Sequence, residues 1–220
     1  METHSFVRSV AALSFENCFN PYSDRCPVYD LPDAPRLRSA VLFSVLSKAQ
    51  SQELDAIWIG RDLGYRGGRR TGLALTDDIH IANLAERWGI SIDRPTVGNA
   101  TSERTAAVVW SMLDRIEEKV FLWNLFPLHP HEAGNPFSNR QHNAKERLAG
   151  QEILERLVQL LRPNRIVAIG NDAFKAIAGL KLEVPIIPVR HPSYGGQHQF
   201  LAQISSLYGL TSNRQVDLFY

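Results

Sequence analysis

Four short apolar runs alternate along the chain with longer segments of helical periodicity. The runs are 54–59, 120–123, 165–169 and 184–189, and each has the length of a strand. Strands that alternate with helices predict a mostly parallel sheet, because each crossover helix returns the chain to the same edge. We therefore expect an α/β fold, a three-layer αβα sandwich with a central, mostly parallel four-stranded sheet.

The segments between and around these runs carry helix signals. Helices are expected from Asp33, from Thr76 or Asp77 through Trp88, from Ser102, over about 145–161, from Asn171 or Asp172 to Ile177, and near 197–208. Residues 1–32 are rich in turn chemistry and are predicted to be irregular, and residues 211–220 to form a loose tail. A chain of this length can bury a hydrophobic core without needing disulfide bonds or metal ions for stability, and it is not too long for one domain. We therefore expect a single domain over 1–220.

Composition excludes several classes of protein. The net charge is +1, which gives no global electrostatic case for a nucleic-acid or membrane partner, so any such case must be local. The spacing of Cys18 and Cys26 fits neither a redox pair nor a metal site, and both are expected to be reduced thiols. No signal-peptide pattern and no apolar stretch of about 20 residues occurs, so a cytoplasmic protein is expected.

A glycine-rich segment follows the first apolar run. Residues 57–76 contain five glycines, which let a backbone turn tightly and approach a ligand closely. Asp62 is the only carboxylate in this segment, and it is surrounded by basic residues: Arg61, Arg66, Arg69 and Arg70. A lone acid just beyond the carboxyl end of a strand lies where open α/β sheets bind ligands.

Two further polar residues follow strand-length runs. Asn124 comes after the second run and precedes a long polar loop, 125–144, and His191 follows the fourth run. Because parallel strands place their carboxyl ends on one edge, we expect Asp62, Asn124 and His191 to surround one pocket. A carboxylate, an amide and an imidazole suit cleavage of a polarised C–N or C–O bond, with the arginines, Arg140 among them, holding phosphates.

Each of these residues also has a purely structural interpretation. Asp62 could pair with a neighbouring arginine, Asn124 could cap a turn, and His191 could be a satisfied loop histidine. Four potential metal ligands lie in the long loop: His129, His131, Glu132 and His142. Their spacing is only a weak metal-binding pattern, so we expect no metal. The glycine segment lacks the lysine of a phosphate-binding P-loop.

Three ordered motifs nevertheless resemble those of the uracil-DNA glycosylase superfamily. They are Gly60-Arg61-Asp62-Leu63-Gly64 with Thr71-Gly72-Leu73-Ala74-Leu75-Thr76, Asn124 after V-F-L-W, and His191-Pro192-Ser193-Tyr194. The helix-to-strand stretch 157–170 is also similar to that family's third βα unit. The resemblance covers about residues 55–200.

This resemblance implies a role for each motif. Asp62 would position or activate water and stabilise an oxocarbenium ion, His191 would donate a hydrogen bond to the base O2, and Asn124 would bind the base edge. The implied base pocket also contains Gly64, Tyr65 and Leu75. The implied DNA contacts are Arg61, Arg66, Arg69, Arg70, Arg190, Ser193, Tyr194 and Gly195, and the H-P-S-Y loop would press into the duplex during base flipping. The resemblance also implies DNA as the partner, a nucleoid-associated monomer and no cofactor.

Departures from the family pattern bear on the substrate. Gly64 stands where the uracil-specific branch has a tyrosine, so the pocket is expected to admit a 5-substituent. Leu75 replaces a stacking phenylalanine and Gly195 a leucine wedge, and two cysteines are too few for the family's iron–sulfur cluster. No lysine lies in the motifs to form a Schiff base, which favours a monofunctional glycosylase.

The sequence leaves the exact function open. A DNA glycosylase acting on uracil or a 5-modified pyrimidine is expected. The alternatives are an anti-phage glycosylase for glucosylated hydroxymethylcytosine, a non-catalytic protein that binds modified bases in DNA, and a nucleotide or sugar-nucleotide enzyme.

Overall fold

The computed structural model describes residues 2–210, and the predicted tail 211–220 lies outside them. In chain order the strands are β1 (Cys18–Phe19), β2 (Ala56–Asp62), β3 (Val120–Phe126), β4 (His129–Pro130), β5 (Arg165–Ile169) and β6 (Ile186–Val189). The helices are α1 (Thr3–Ala11), α2 (Ala34–Gln50), α3 (Gly68–Thr71), α4 (Ile81–Trp88), α5 (Arg104–Leu113), α6 (Ala144–Leu161), α7 (Asn171–Ala178) and α8 (Gln197–Leu207).

A four-stranded parallel sheet forms the centre of the fold. Its strand order is β3-β2-β5-β6, and helices flank it, which confirms the predicted fold class. The middle of β2 is completely buried, as expected for a parallel strand covered on both faces. The registers pair Gly60 with Asn124 and Ile169 with Val189, so the carboxyl ends of all four strands lie along one edge.

The prediction that residues 1–32 are irregular was wrong for residues 3–11. Helix α1 lies there, and its buried face, Phe6, Val7 and Val10, packs against α2 and α6. Its sequence is rich in serine, threonine and histidine, which are not strong helix formers. The helix is therefore stabilised chiefly by the tertiary contacts of its apolar face.

Several element boundaries differ from the predicted ones. The helix predicted to begin at Thr76 or Asp77 begins at Ile81 and is α4. The Asp77 carboxylate accepts hydrogen bonds from the backbone N–H groups of Ile79 and His80, so these residues form a turn before the helix. Strand β3 continues two residues beyond Asn124, because Leu125 and Phe126 are fully buried and extend the apolar run. Asn124 is consequently held inside a strand rather than in a loop.

Helix α6 packs closely on β3. It begins with a capping box formed by Asn143 and Glu146. Gly150 makes the close approach possible, since a Cβ atom there would overlap the backbone carbonyl oxygen of Leu125. This contact fixes the start of α6, and the residues just before it, against the edge of the sheet. Within residues 2–210, no helix has the length and apolarity required to cross a bilayer.

Candidate active site

Asp62 ends β2, and two side chains hold its carboxylate. Oδ2 accepts a hydrogen bond from Nε of Arg61 at 2.7 Å, and Oδ1 makes a short hydrogen bond with Nδ1 of His142. The Asp62 side chain is 6% exposed and that of His142 is 4% exposed. Because both of its oxygens are held, the carboxylate has a fixed orientation at the edge of the sheet.

Arg61 also contacts a second acid. Its Nη1 lies 2.8 Å from Oδ2 of Asp172, near the start of α7, so the guanidinium bridges Asp62 and Asp172. These three side chains together carry a formal charge of −1. Arg61 was predicted to bind DNA phosphate, but its guanidinium is engaged by these two carboxylates.

Asn124 lies beside Asp62, one strand away, and is 2% exposed. Its Oδ1 atom is buried and has no hydrogen-bond partner among the described residues. Gly60, its register partner, leaves space for this amide, because a Cβ atom on Gly60 would overlap Oδ1. A buried amide oxygen without a partner is costly, so it is suited to accept a hydrogen bond from a ligand.

His191 follows β6, and a backbone hydrogen bond fixes its ring. The N–H of Ser193 donates to Nδ1 at 3.1 Å, so the neutral ring carries its proton on Nε2. Burial lowers the pKa of His191, and the nearby positive charges of Arg61 and Arg190 lower it further. His191 is therefore held as a neutral imidazole with one free N–H donor.

The three residues line a single cleft of about 530 Å³ at the carboxyl edge of the sheet. Predicted site residues on its wall are Arg61, Asp62, Gly64, Leu75, Asn124, Arg190, His191, Ser193 and Tyr194. Tyr65 does not line the cleft; its backbone N–H donates to Asn139 Oδ1 at 3.0 Å. The wall also contains residues that sequence reasoning missed: Glu103, Thr105, Asn139 and Asp172.

The side of the cleft next to Gly64 is occupied by a carboxylate. A Cβ atom on Gly64 would lie 3.1 Å from Oε1 of Glu103, the residue that precedes α5. The absence of a side chain at Gly64 therefore makes room for Glu103 as well as for any ligand. The sequence offered no signal for this contact, because an acid before a helix is ordinarily a solvated cap.

Two of the arginines predicted to bind DNA are buried and paired inside the protein. Arg69 is 3% exposed, donates from Nε to the Tyr29 hydroxyl at 2.8 Å and lies over the ring of Phe19. Arg70 is 7% exposed and pairs with Asp78 at 2.7 Å. The four-residue helix α3 turns both side chains inward, where they brace the glycine-rich segment.

The remaining arginines divide between surface and interior. Arg66 and Arg190 are exposed, and Arg66 stacks on the ring of Tyr65. Arg140, also considered for phosphate binding, makes two hydrogen bonds of 2.7 Å to the carboxylate of Glu146. Arg66 and Arg190 are thus the most exposed arginines of the predicted set, and the paired side chain of Arg61 is 38% exposed.

The loop after β6 projects one aromatic side chain into solvent. Tyr194 is 99% exposed and has a φ of 53°, a left-handed conformation that is uncommon for an aromatic residue. Gly195 continues this turn with a φ of 75°. The hydroxyls of Ser193 and Thr105 lie 3.3 Å apart and connect the loop to α5 across the cleft.

The long loop after β3 does not assemble a metal site. Among residues 2–210, no group of three or more His, Cys, Asp or Glu side chains is arranged to hold a metal ion. The ring of His129 is buried and hydrogen-bonded at both nitrogens, and burial with the nearby Arg69 lowers its pKa to about 3. His142 instead forms a hydrogen bond with Asp62. The sequence signal for its place near the sheet edge is that it directly precedes Asn143, the N-cap of α6.

Comparison with known proteins agrees with these motifs. A family model, the uracil DNA glycosylase superfamily, matches residues 50–207. The chain belongs to the uracil-DNA glycosylase superfamily. No curated protein matches this superfamily member by sequence.

A solved structure shows the same fold at low identity. The wild-type SMUG2 of Pedobacter heparinus is similar to this superfamily member with a TM-score of 0.64 and 16% identity, over 96% of this chain and 98% of that chain. A mutant UNG from Nitratifractor salsuginis has a TM-score of 0.45 and 17% identity, over 83% of this chain and 80% of that chain.

Proposed function

We propose that the protein is a monofunctional DNA glycosylase that flips a pyrimidine out of DNA and hydrolyses its N-glycosidic bond. The observation that carries this proposal is that Asp62, Asn124 and His191 line one cleft. Members of this superfamily are typically DNA N-glycosylases. The product would be a free base and an abasic site in an intact strand.

Asn124 would bind the base edge. Its unpaired Oδ1 accepts a hydrogen bond from a ring N–H such as N3–H of uracil, and the amide Nδ2 can donate to a neighbouring carbonyl. Because Oδ1 is buried without a partner, a base that supplies a donor removes an existing desolvation penalty. That penalty is about 1–3 kcal/mol for a neutral group.

His191 would stabilise the leaving base. The N-glycosidic bond breaks with its electron pair moving onto the base, and negative charge develops on O2. The Nε2–H of a neutral His191 donates to that oxygen without transferring its proton. A well-placed donor of this kind contributes about 2.7–4 kcal/mol to transition-state stabilisation.

Asp62 would act on the sugar side of the same bond. As the base leaves, positive charge develops on the deoxyribose, and a fixed carboxylate in a partly buried site stabilises it. Each carboxylate oxygen has a second lone pair, so Asp62 can still orient a water molecule while held by Arg61 and His142. That water adds to C1′ and gives one proton to the carboxylate of Asp62, which releases it to solvent, while the departing base anion takes up a proton from solvent.

The loop around Tyr194 would stabilise the flipped state. Removing a base from the stack costs a few kcal/mol, and an exposed aromatic ring can fill the vacated space. No lysine is among the described residues that line the cleft, so no amine is available to form a Schiff base with the sugar.

The test is base release from duplexes that contain one 2′-deoxyuridine. We expect alkali-labile abasic sites and free uracil from the wild type, with strands intact before alkali. Asp62→Asn and His191→Ala should lower the single-turnover rate by 100-fold or more. Binding without release of any base, either from these duplexes or from matched duplexes that carry 5-hydroxymethyluracil, would instead identify a non-catalytic DNA-binding protein.

A further inference from the structure

The carboxylate of Glu103 lies on the wall of the cleft without a side-chain partner. It lines the same space as Asn124 and His191, and within residues 2–210 its carboxylate forms no hydrogen bond or ion pair. Its backbone N–H is anchored by the carboxylate of Asp77. The backbone of Glu103 is therefore anchored, while the acceptor atoms of its side chain remain available to a ligand.

Two glycines make space for this carboxylate. A Cβ atom on Gly67 would overlap Oε2 of Glu103, and one on Gly64 would lie 3.1 Å from Oε1. The glycine-rich segment therefore lets the acid that precedes α5 reach the cleft. Neither glycine has a left-handed φ, so a side chain at either position would disturb the space for Glu103 rather than strain the backbone.

The surroundings of Glu103 raise the pKa of its carboxyl group but leave it an anion at neutral pH. Burial raises its pKa to about 6, the like charge of Asp77 raises it as well, and Arg66 lowers it. Above this pKa the group is an anion that accepts hydrogen bonds and donates none. A half-buried anion without a hydrogen-bond partner is unfavourable, so a donor from a bound base would relieve that cost.

The orientation of a bound pyrimidine decides which edge meets Glu103. In the proposed function the O2 atom faces His191 and the N3 edge faces Asn124. Positions 4 and 5 of the ring then face the third wall, which Gly64 and Glu103 form. Uracil presents a carbonyl oxygen and a C–H group there, and the carbonyl would oppose a carboxylate.

We propose that Glu103 is a specificity-determining residue that favours pyrimidines bearing a hydroxyl donor at position 5 on this edge. This inference rests on the proposed glycosylase function and narrows its substrate class to donor-bearing pyrimidines, such as 5-hydroxymethyl bases. The hydroxyl of such a base donates to the carboxylate, while a 5-methyl group of nearly the same size cannot.

The test uses two pairs of duplexes that each differ by one hydroxyl. They carry 5-hydroxymethyluracil or thymine, and 5-hydroxymethylcytosine or 5-methylcytosine. Single-turnover base release gives a selectivity ratio for each pair. We expect a ratio of at least 10 for one pair in the wild type, a fall of about 10-fold or more in Glu103→Ala, and a smaller fall in Glu103→Gln, which keeps a neutral acceptor.

A second measurement separates recognition from a merely structural effect. As the pH is lowered from 7.5 to 5, Glu103 is protonated and the selectivity ratio of the wild type should fall. The selectivity ratio of Glu103→Gln should stay constant over the same range. Effects of pH on the chemical step are common to both bases and cancel in the ratio. The control is Glu152→Gln, an exposed change on α6, which should leave the ratio unchanged.

The outcomes distinguish this inference from the function on which it rests. Ratios near 1 in the wild type, or equal ratios in the wild type and both Glu103 variants, would overturn it. The proposed function would still stand if Asp62→Asn abolished base release in the same assay. Release of no base from any duplex, including uracil, would overturn both.

Discussion

Asn124 and Gly60 show how a single missing side chain shapes the site. The amide oxygen of Asn124 is buried and unpaired within the described part of the chain, and it occupies the space that a Cβ atom on Gly60 would need. Neither residue is exposed enough for the amide to move into solvent. The orientation of the amide therefore depends on the glycine opposite it.

Gly60→Ala should consequently impair base binding. The new methyl group would displace the Asn124 amide, and we expect base release from a uracil duplex to fall at least 10-fold. Gly179→Ala is the matched control, because a Cβ atom there meets no atom within 4 Å. The explanation fails if both variants retain wild-type rates in single-turnover assays.

The protonation of His191 should set the acid side of the pH profile. Protonation of Nδ1 would place two donors, this ring N–H and the N–H of Ser193, against each other and release the ring. Because burial, Arg61 and Arg190 lower its pKa below the ordinary 6.5, activity should persist at pH 6.5 and fall only below it. Rates measured from pH 4 to 8 check this, and a midpoint above 6.5 would contradict it.

At the scale of elements, two connecting segments complete the site. The segment between β4 and α6 brings His142 to Asp62, and the loop between β6 and α8 carries His191 and Tyr194. The first is fixed by the capping box of α6 and by the close contact of that helix with β3. The second is fixed by backbone hydrogen bonds and leaves one ring in solvent.

His142→Phe should reduce the rate without preventing DNA binding. The variant removes the hydrogen bond to Oδ1 of Asp62 and keeps a ring of similar size next to Phe126. We expect the single-turnover rate on a uracil duplex to fall about 10-fold with the dissociation constant nearly unchanged. The control is His198→Phe, an exposed change on α8, and an equal loss in both variants would contradict a positioning role.

Tyr194→Ala should affect duplex DNA more than single-stranded DNA. If the ring fills the space of the flipped base, its loss should lower the duplex rate about 10-fold, because aromatic stacking contributes about 1–3 kcal/mol per base. Single-stranded substrates need no such support and should lose less than 3-fold. Tyr194→Phe keeps the ring and should behave like the wild type, and equal losses on both substrates would refute the idea.

For the molecule as a whole, residues 2–40 pack against the elements that carry the site. Helix α1 packs on α2 and α6, and Arg38 and Asp30 form an ion pair whose side chains are both completely buried. Arg38 also donates to the backbone carbonyl of Arg70 at 2.8 Å, next to the glycine-rich segment. Core stability and the shape of the site are therefore coupled.

Phe6→Ala should destabilise the whole fold. The Phe6 ring is completely buried, packs on Trp123 and lies beneath the sheet strand that carries Asn124. We expect the free energy of unfolding to fall by about 3–5 kcal/mol in urea titrations. Val28→Ala, at a side chain that is 68% exposed, should change it by no more than about 0.5 kcal/mol. Comparable losses in the two variants would mean that α1 adds little to the core.

The amino-acid sequence by itself determined the parallel sheet and the edge at which the polar residues gather. Apolar runs such as 165–169 became strands at the predicted residues, because strand length and periodicity are local properties of the chain. The polar residues at the ends of three runs then had to meet, since parallel strands share a carboxyl edge. The motifs at those ends also indicated the superfamily.

Only the tertiary structure decided which side chains remain available. Arg69 and Arg70 resemble Arg66 in the sequence, yet Tyr29, 40 residues before Arg69, and Asp78 bind them inside the protein. Glu103 reaches the cleft through contacts with a loop far from it in the chain. The physical reason is that burial and pairing depend on distances in space, which no local pattern of residues specifies.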